Sequence, residues 1–157
     1  MIDPDLFRAV LGRFASGVTV VTTRDAAGRD HGLTVSAFSS LSLEPPLVLV
    51  CIDQSSSVQP VLREASHFVV NVLASTQEAL SRRFSGRDLD RFDGIGYSRG
   101  NTGLAVLDEV LAYLECRVAH RLDQGDHTIF VGEVESADTS SGRPLLYYRG
   151  GYATLER

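Results

Sequence analysis

The chain contains no lysine, so all 15 of its basic residues are arginines. Schiff-base chemistry on a lysine amine is therefore excluded, and any phosphate must be met by an arginine fork or by backbone N–H groups. Cysteine is also scarce: Cys51 and Cys116 lie far apart, each inside an apolar run. No CxxC or Cys/His spacing is present, so we expect two buried strand thiols in a reducing compartment and no metal site.

Long apolar runs are missing as well. No run approaches the length of a transmembrane helix, and the opening MIDPDLFRAV lacks a signal-peptide pattern, so we expect a cytoplasmic protein without a membrane partner. The net charge of −5 argues against nucleic acid as the main partner. At 157 residues the chain can bury a sizeable core, and we expect a single domain over residues 1–157.

Sequence motifs of several large enzyme classes are absent. There is no GxxxxGK[ST] phosphate loop, GxSxG elbow or HExxH zinc motif, and the glycines of 94–100 are wrongly spaced for a dinucleotide fingerprint. Among the scattered histidines, we expect His31, His67 and His120 to be structural or solvated. His127 follows Gly and Asp in a turn that needs only those two residues, so it is either turn decoration or a contact for an anionic ligand.

Three short helices are indicated. Asp3 followed by Pro4 is typical of an N-cap and a first helical position, and apolar residues then recur at helical spacing until Gly17 ends the helix. Further helices are expected at about 58–64 and 76–84.

The segment around the third helix has two further signals. Ser75 and Glu78 are spaced for a capping box at its start. Beyond the helix, residues 85–103 are rich in Asp, Gly and Arg and show no periodicity. We expect them to form a long surface loop, and loops of this length in a compact domain often carry function.

The rest of the chain has strand patterns. About six or seven strands with only short peripheral helices predict a mainly β protein, a closed or partly closed antiparallel barrel. The expected strands are 18–23 and 32–38, joined by a turn at 26–29, then 47–52, 68–73, 112–123, 128–138, and one strand or a pair within 144–155.

Hydroxyl groups are concentrated in two stretches. LTVSAFSSLS (33–42) has one apolar face and one rich in hydroxyls, and the segment 53–57 places three serines before a helix. Serines at a helix entrance are ordinary N-caps, but the same hydroxyl and N–H groups also bind phosphate without lysine. With the arginines of RRFSG (82–86), these stretches suggest an aromatic, phosphorylated ligand hydrogen-bonded along one edge, a description that flavin mononucleotide fits.

Six segments taken together are specific for a known family. They are FASGVTVVTT (14–23), HGLTVSAFSSLSLEPPLVLVCI (31–52), FVVNVLA (68–74), RRFSG (82–86), GDHTIFVGEVE (125–135) and PLLYYRGGY (144–152). In this order they cover nearly the whole chain and resemble the flavin reductase-like, FMN-binding split-barrel family. The family includes the small reductases that feed reduced flavin to two-component monooxygenases.

The resemblance implies a homodimer with the flavin in a groove near the subunit interface. By matching position, the flavin would contact Thr34, Val35, Ser36, Ala37, Phe38, Ser40, Leu41, Cys51, Asp53, Ser55, Ser56, Ser57, Arg83, Phe84, Ser85 and Gly86. The nicotinamide nucleotide would contact His127, Tyr148, Arg149, Gly151 and Tyr152, with His127 positioning the nicotinamide.

The activity that the resemblance implies is NAD(P)H:flavin oxidoreduction. Hydride would pass from NADH or NADPH to FMN or FAD, and the reduced flavin would reach a partner monooxygenase by diffusion. This chemistry depends on positioning two rings rather than on an acid–base residue, which agrees with the missing catalytic motifs. Two alternatives stay open: a split-barrel oxidoreductase with tightly bound flavin acting on a corrinoid or ferric chelate, and a non-catalytic flavin- or haem-binding module.

Overall fold

The computed structural model describes residues 1–87 and 90–156, and β-strands dominate it. The helices are α1 (Pro4–Leu11), α2 (Gln59–Glu64) and α3 (Glu78–Ser85). The strands are β1 (Ser16–Gly17), β2 (Thr19–Arg24), β3 (Asp30–Val35), β4 (Phe38–Ser42), β5 (Leu47–Asp53), β6 (His67–Val72), β7 (Tyr97–Arg99), β8 (Ala105–Leu107), β9 (Ala112–Gln124), β10 (His127–Thr139), β11 (Leu145–Tyr148) and β12 (Gly151–Thr154). The mainly β class with short peripheral helices is confirmed. None of the helices in the described part of the chain is long and apolar enough to span a bilayer.

Seven antiparallel strands form the main sheet, in the order β3-β2-β6-β9-β10-β5-β4. Its two edge strands, β3 and β4, are joined by Ser36 and Ala37 alone. The N–H of Cys51 in β5 donates to the carbonyl of Ala37 at 3.0 Å. The sheet therefore curls until its edges approach each other at this bend, although no ladder of hydrogen bonds joins β3 to β4 in the described part of the chain. This is the partly closed form of the predicted barrel.

The barrel interior holds the larger of two main apolar cores. Phe68 and Phe130 are its largest side chains, and both are completely buried. A second core, which includes Phe84 and Leu145, lies where α3 and the C-terminal strands pack on the outside of the barrel. This second core positions α3 beside β3, where the candidate site lies.

The first helix is shorter than predicted. Its start agrees with the prediction, since the Asp3 carboxylate accepts the N–H of Leu6 at 3.2 Å. The helix ends at Gly12 rather than at Gly17, which belongs to β1 and pairs with Leu146 of β11. Tertiary pairing in the small sheet β1-β11-β12 takes the chain out of the helix earlier than the apolar spacing indicates.

The hydroxyl-rich stretch 33–42 is two strands rather than one. β3 ends at Val35 and β4 begins at Phe38, and the Phe38 N–H donates to the Ser36 carbonyl at 2.9 Å across the bend. The bend lets one continuous stretch pair with β2 on one side and with β5 on the other.

The capping box predicted before α3 does not form. The helix begins at Glu78, and Gln77 occupies the N-cap position. The side chain of Gln77 accepts the Ala74 N–H at 2.9 Å and donates to the Asp108 carbonyl at 2.8 Å. A bridge to a distant turn therefore replaces the local Ser75–Glu78 pair.

The predicted loop 85–103 contains more structure than expected. Within it, β7 pairs with β8, a strand that the sequence analysis did not predict. Phe92 packs edge-on against Phe84 and Tyr97, with ring centroids 5.1 and 5.7 Å apart. The aromatic residues that hold this segment in place are too irregularly spaced to produce a periodic pattern in the sequence. Residues 88 and 89, also part of the predicted loop, lie outside the described residues.

The C-terminal segment is a hairpin, the second of the two predicted possibilities. β11 and β12 pair around a two-residue turn in which Arg149 and Gly150 have φ angles of 52° and 77°. Left-handed backbone at both positions matches the right-handed twist of the flanking strands. The Arg149 N–H donates to the Gly12 carbonyl at 2.9 Å, which fixes the turn against the end of α1.

Candidate functional site

The serine segment 53–57 leaves the barrel beside the bend between β3 and β4. The Asp53 carboxylate accepts both the N–H and the hydroxyl of Ser55, each at 2.8 Å. The Ser56 hydroxyl accepts the N–H of Val58 at 3.2 Å. Hydrogen bonds from Ser55, together with the nearby charge of His127, lower the pKa of Asp53. Two of the three serine hydroxyls therefore stabilise this turn. None of them caps the following helix, because Val58 occupies the N-cap position of α2 and no side chain caps it, so the interpretation of these serines as N-caps is wrong.

The third serine, Ser57, lines a small pocket of about 110 Å³ together with His31 and Arg91. The Arg91 guanidinium donates to the carbonyls of Gly32 at 2.7 Å and Gly86 at 2.6 Å. It thereby ties the loop to β3 and to the end of α3. Arg91 was not among the predicted site residues, because a residue inside an aperiodic loop gives no local signal of such contacts.

The helix α3 lies directly against β3. A Cβ atom at Gly32 would come within 2.8 Å of the Phe84 ring, so this close approach depends on glycine. Next along the strand, the Thr34 hydroxyl donates to the Ser81 carbonyl at 2.6 Å. The hydroxyl-bearing side of β3 is thus covered in part by the serines of α3.

Between α3, β3 and the C-terminal hairpin lies a second pocket of about 200 Å³, which we call the hydroxyl pocket. Thr34, Ser36 and Ser85, predicted for flavin, and Tyr152, predicted for the nicotinamide nucleotide, all line it. Its full lining is Val18, Thr34, Ser36, Ser81, Ser85, Tyr147 and Tyr152. Hydroxyls and aromatic rings with no formal charge in this lining suit a flat heteroaromatic ligand with polar edges.

Several predicted flavin contacts have side chains directed elsewhere. Val35 and Phe38 pack in the barrel core, and Phe84 is 1% exposed in the second core. The Arg83 guanidinium donates to backbone carbonyls within residues 90–93. Val35 and Phe84 are buried, so only their backbone remains for the predicted ligand contact, whereas Phe38 is partly exposed and Arg83 is exposed.

The remaining predicted flavin residues follow the outside of the barrel. Ala37, Ser40 and Leu41 are exposed along the bend and β4. Cys51 is half-buried beside Ala37, and burial raises the pKa of its thiol. Burial raises the pKa of Cys116 much further, to about 12. Both thiols therefore stay protonated near neutral pH and are unsuited to nucleophilic chemistry.

His127 lies at the start of β10, next to the serine segment. Its Nδ1 is 2.7 Å from a carboxylate oxygen of Asp126, and its carbonyl accepts from the Gln54 amide at 3.1 Å. It pairs with Asp53 across the ladder between β10 and β5. Among the described residues its Nε2 has no hydrogen-bond partner, and the side chain is partly exposed.

The predicted nicotinamide residues are not brought together as one cluster. Tyr152 lines the hydroxyl pocket, whereas Tyr148, Arg149 and Gly151 lie around the exposed hairpin turn. Among residues 1–87 and 90–156, no hydrogen bond or ring contact joins His127 to this hairpin. Tyr152 and His127 therefore belong to separate parts of the candidate site.

Comparison with known proteins agrees with this geometry. The "Flavin reductase like domain" family matches residues 11–156. The reductase subunit HsaB of a flavin-dependent monooxygenase from Rhodococcus jostii is 42% identical over 156 residues, which cover 99% of this chain and 80% of the relative. A protein described as a probable flavin reductase from Rhizobium meliloti is 40% identical over 154 residues; the match covers 98% of this chain but spans only 50% of that relative.

A solved structure shares the architecture over nearly the whole chain. It is the NADH:FAD oxidoreductase SgcE6 of Streptomyces globisporus in complex with NAD and FAD fragments, with a TM-score of 0.92 and 34% identity. The match covers 99% of this chain and 96% of SgcE6. The antiparallel barrel, the hydroxyl-rich bend, the GDH turn and the family match lead to one conclusion: the chain belongs to the flavin reductase-like domain family.

Proposed function

We propose that this protein catalyses hydride transfer from NADH or NADPH to FMN or FAD. The observation that carries the proposal is the hydroxyl pocket, because its lining combines residues expected on the flavin side, such as Thr34 and Ser36, with Tyr152 from the nicotinamide side. Hydride transfer requires the two rings to meet at one place. The relationship to flavin reductases supports the same activity.

The donor chemistry of the pocket fits a flavin. A flavin supplies, when bound, a ring system that accepts a hydride and then carries additional negative charge. The Ser36 hydroxyl, with backbone N–H groups along the bend, would donate to its polar edge, whereas the Ser85 hydroxyl donates to the Ser81 carbonyl and could only accept from the ligand. Neutral donors of this kind stabilise developing charge without the permanent attraction of fixed cations. The chain's contribution is therefore to bind, orient and exclude water rather than to move a proton.

The proposal is tested by NADH oxidation followed at 340 nm with and without added flavin. We expect steady turnover that depends on FMN or FAD, and parallel assays with NADPH identify the preferred nucleotide. A protein that binds flavin but oxidises neither nucleotide would overturn the proposal and favour the non-catalytic binding module. Retention of flavin through dialysis would instead favour the alternative with a tightly bound flavin and another acceptor.

We further propose that the reduced flavin is consumed by a flavin-dependent monooxygenase. Support comes from the relative HsaB, which is a reductase subunit of such an enzyme. A pocket without a covalent or cationic anchor is suited to a flavin that leaves after reduction. Transfer by diffusion predicts that a monooxygenase held behind a dialysis membrane still receives reduced flavin under anaerobic conditions.

His127 is expected to contact the nicotinamide nucleotide through its Nε2, since Nδ1 lies against Asp126. Removing one hydrogen bond to a ligand raises the apparent KM by roughly threefold to tenfold, so His127→Ala should do so for NADH while the flavin dissociation constant stays the same. Steady-state kinetics and flavin fluorescence titration measure the two quantities. The exposed His120 provides a matched control as His120→Ala. An unchanged KM for NADH in His127→Ala would show that this residue serves only the turn.

The proposed homodimer is supported by the apolar side of α1, which nothing in the described chain covers. The helix has no buried residue. Its large apolar side chains and the one that follows it are all at least half exposed: Leu6, Phe7, Val10, Leu11 and Phe14. An amphipathic helix normally buries such a face against another element, and a second copy of the chain would provide it.

A charge placed on this face should dissociate the dimer. We expect Phe7→Asp to be a monomer at concentrations where the unaltered protein is a dimer, since a carboxylate cannot be buried there without a partner. Sedimentation equilibrium measures the mass. Arg8→Asp, one residue away at a charged position, is the control and should remain dimeric. A monomeric unaltered protein would contradict the proposal.

A further inference from the structure

One buried serine connects three side chains of the hydroxyl pocket. Ser81 has no exposed surface (0%) although it carries a hydroxyl. Its carbonyl accepts the hydroxyls of Thr34 at 2.6 Å and Ser85 at 2.8 Å, and its own hydroxyl is hydrogen-bonded to the Tyr152 phenol at 2.7 Å. The family resemblance gave no role to Ser81, but every side chain that it holds lines the pocket.

The ring of Tyr152 is fixed from three directions. The phenol is bonded to Ser81, the Arg82 guanidinium carbon lies 4.9 Å from the ring centroid, and the Tyr147 ring packs edge-on at 5.5 Å. Arg82 is itself held by Glu78, which accepts from its Nε at 3.0 Å. Of these neighbours, only Ser81 is completely buried. Water cannot replace Tyr152 as the partner of its hydroxyl, so loss of this hydrogen bond would leave a buried polar atom unpaired.

We infer that Ser81 is a positioning residue. Its buried hydroxyl fixes the Tyr152 ring, and this ring forms the wall of the pocket against which the nicotinamide nucleotide binds. This inference rests on the proposed function. Ser81 does not touch the ligand in this scheme and acts through Tyr152. The effect of losing it should therefore appear in nicotinamide binding rather than in flavin binding.

Replacing Ser81 by alanine separates the role of its hydroxyl from that of its backbone carbonyl. The backbone carbonyl that holds Thr34 and Ser85 is retained in Ser81→Ala, and only the bond to Tyr152 is lost. Tyr152→Phe removes the same bond from the other side while keeping the ring and its contact with Arg82. The two variants and their combination form a double-mutant cycle around one hydrogen bond.

The cycle is measured with the flavin-loaded protein. We expect each single variant to raise the KM for NADH and the calorimetric dissociation constant for NAD⁺ roughly threefold to tenfold, as for the loss of one buried hydrogen bond. The double variant should be no worse than either single variant, and kcat and the flavin dissociation constant should stay within twofold. Ser140→Ala removes another serine hydroxyl, bonded at 2.8 Å to the Val110 carbonyl, and is the matched control.

Several results would overturn the inference. Additive effects in the double variant would show that Ser81 and Tyr152 act independently. A lower melting temperature in Ser81→Ala with unchanged KM and NAD⁺ affinity would give Ser81 a structural role only. An unaltered protein that binds NAD⁺ but fails to oxidise NADH with flavin would overturn the proposed activity instead, and the calorimetric cycle would still decide the role of Ser81.

Discussion

Phe84→Ala is expected to lower the free energy of unfolding by about 3–5 kcal/mol, the range for deleting a buried aromatic side chain. The Phe84 ring is 1% exposed and fills the space between α3, Phe92 and the backbone at Gly32. Alanine would leave a cavity at the contact that holds α3 against β3. Because Ser81 and Ser85 reach the hydroxyl pocket from this helix, flavin affinity should fall as well.

Urea unfolding gives the stability and flavin fluorescence titration gives the affinity. Phe84→Leu keeps an apolar side chain in the same space and should show a smaller loss in both measurements. Equal stability of Phe84→Ala and the unaltered protein would mean that α3 is held by contacts other than this ring. A large loss of stability with unchanged flavin affinity would show that α3 does not contribute to flavin binding.

The second large effect is expected at Glu115, whose carboxylate lies beneath the turn between β7 and β8. It accepts the Thr102 N–H at 2.9 Å, the Thr102 hydroxyl at 2.7 Å and the Asn101 N–H at 3.2 Å. A Cβ at Gly100 would collide with the same carboxylate, so glycine at this position lets the turn approach Glu115 closely. In Glu115→Gln an amide donor would face these three donors, so the free energy of unfolding at pH 7 should fall by about 1–3 kcal/mol.

The pH dependence of that cost follows from the ionisation of Glu115. Burial acts to raise its pKa, but the hydrogen bonds from Thr102, Asn101 and Ser136 outweigh burial and leave the pKa lower than usual. A carboxyl group whose folded pKa is depressed adds stability above its unfolded pKa, and this stability is lost as the pH falls through the folded value. The stability gap between the unaltered protein and Glu115→Gln should therefore narrow in acid.

Urea unfolding at pH 7 and at stepwise lower pH measures this gap. Glu64→Gln, the same change at an exposed helix position, is the control and should leave stability nearly unchanged. A difference in the free energy of unfolding that stays constant from pH 7 to pH 3 would show that Glu115 is neutral throughout this range or that the turn is held by other hydrogen bonds.

Local patterns were sufficient to predict most of the barrel. Alternation and turn residues identified the hairpin of β2 and β3 and the long hairpin of β9 and β10, and the apolar run 47–52 identified β5. These signals work because each depends on residues close together in the chain. Predictions failed where a distant partner competes with a local preference. Gln77 reaches Asp108 and displaces the expected capping box, and pairing with Leu146 ends the first helix early by drawing Gly17 into β1.

The sequence was sufficient to predict the barrel class and the neutral hydroxyl chemistry of the bend, and its family resemblance suggested a flavin as the ligand. Which side chains share a pocket could be seen only in the folded chain. Thr34 and Ser81 are 47 positions apart, and Ser81 and Tyr152 are 71 apart, yet both pairs are hydrogen-bonded. Strand pairing and the packing of α3 set such distances, so no local pattern reveals them. For the same reason Phe84 and Arg83, one and two residues before Ser85, pack elsewhere and do not line the pocket that Ser85 lines.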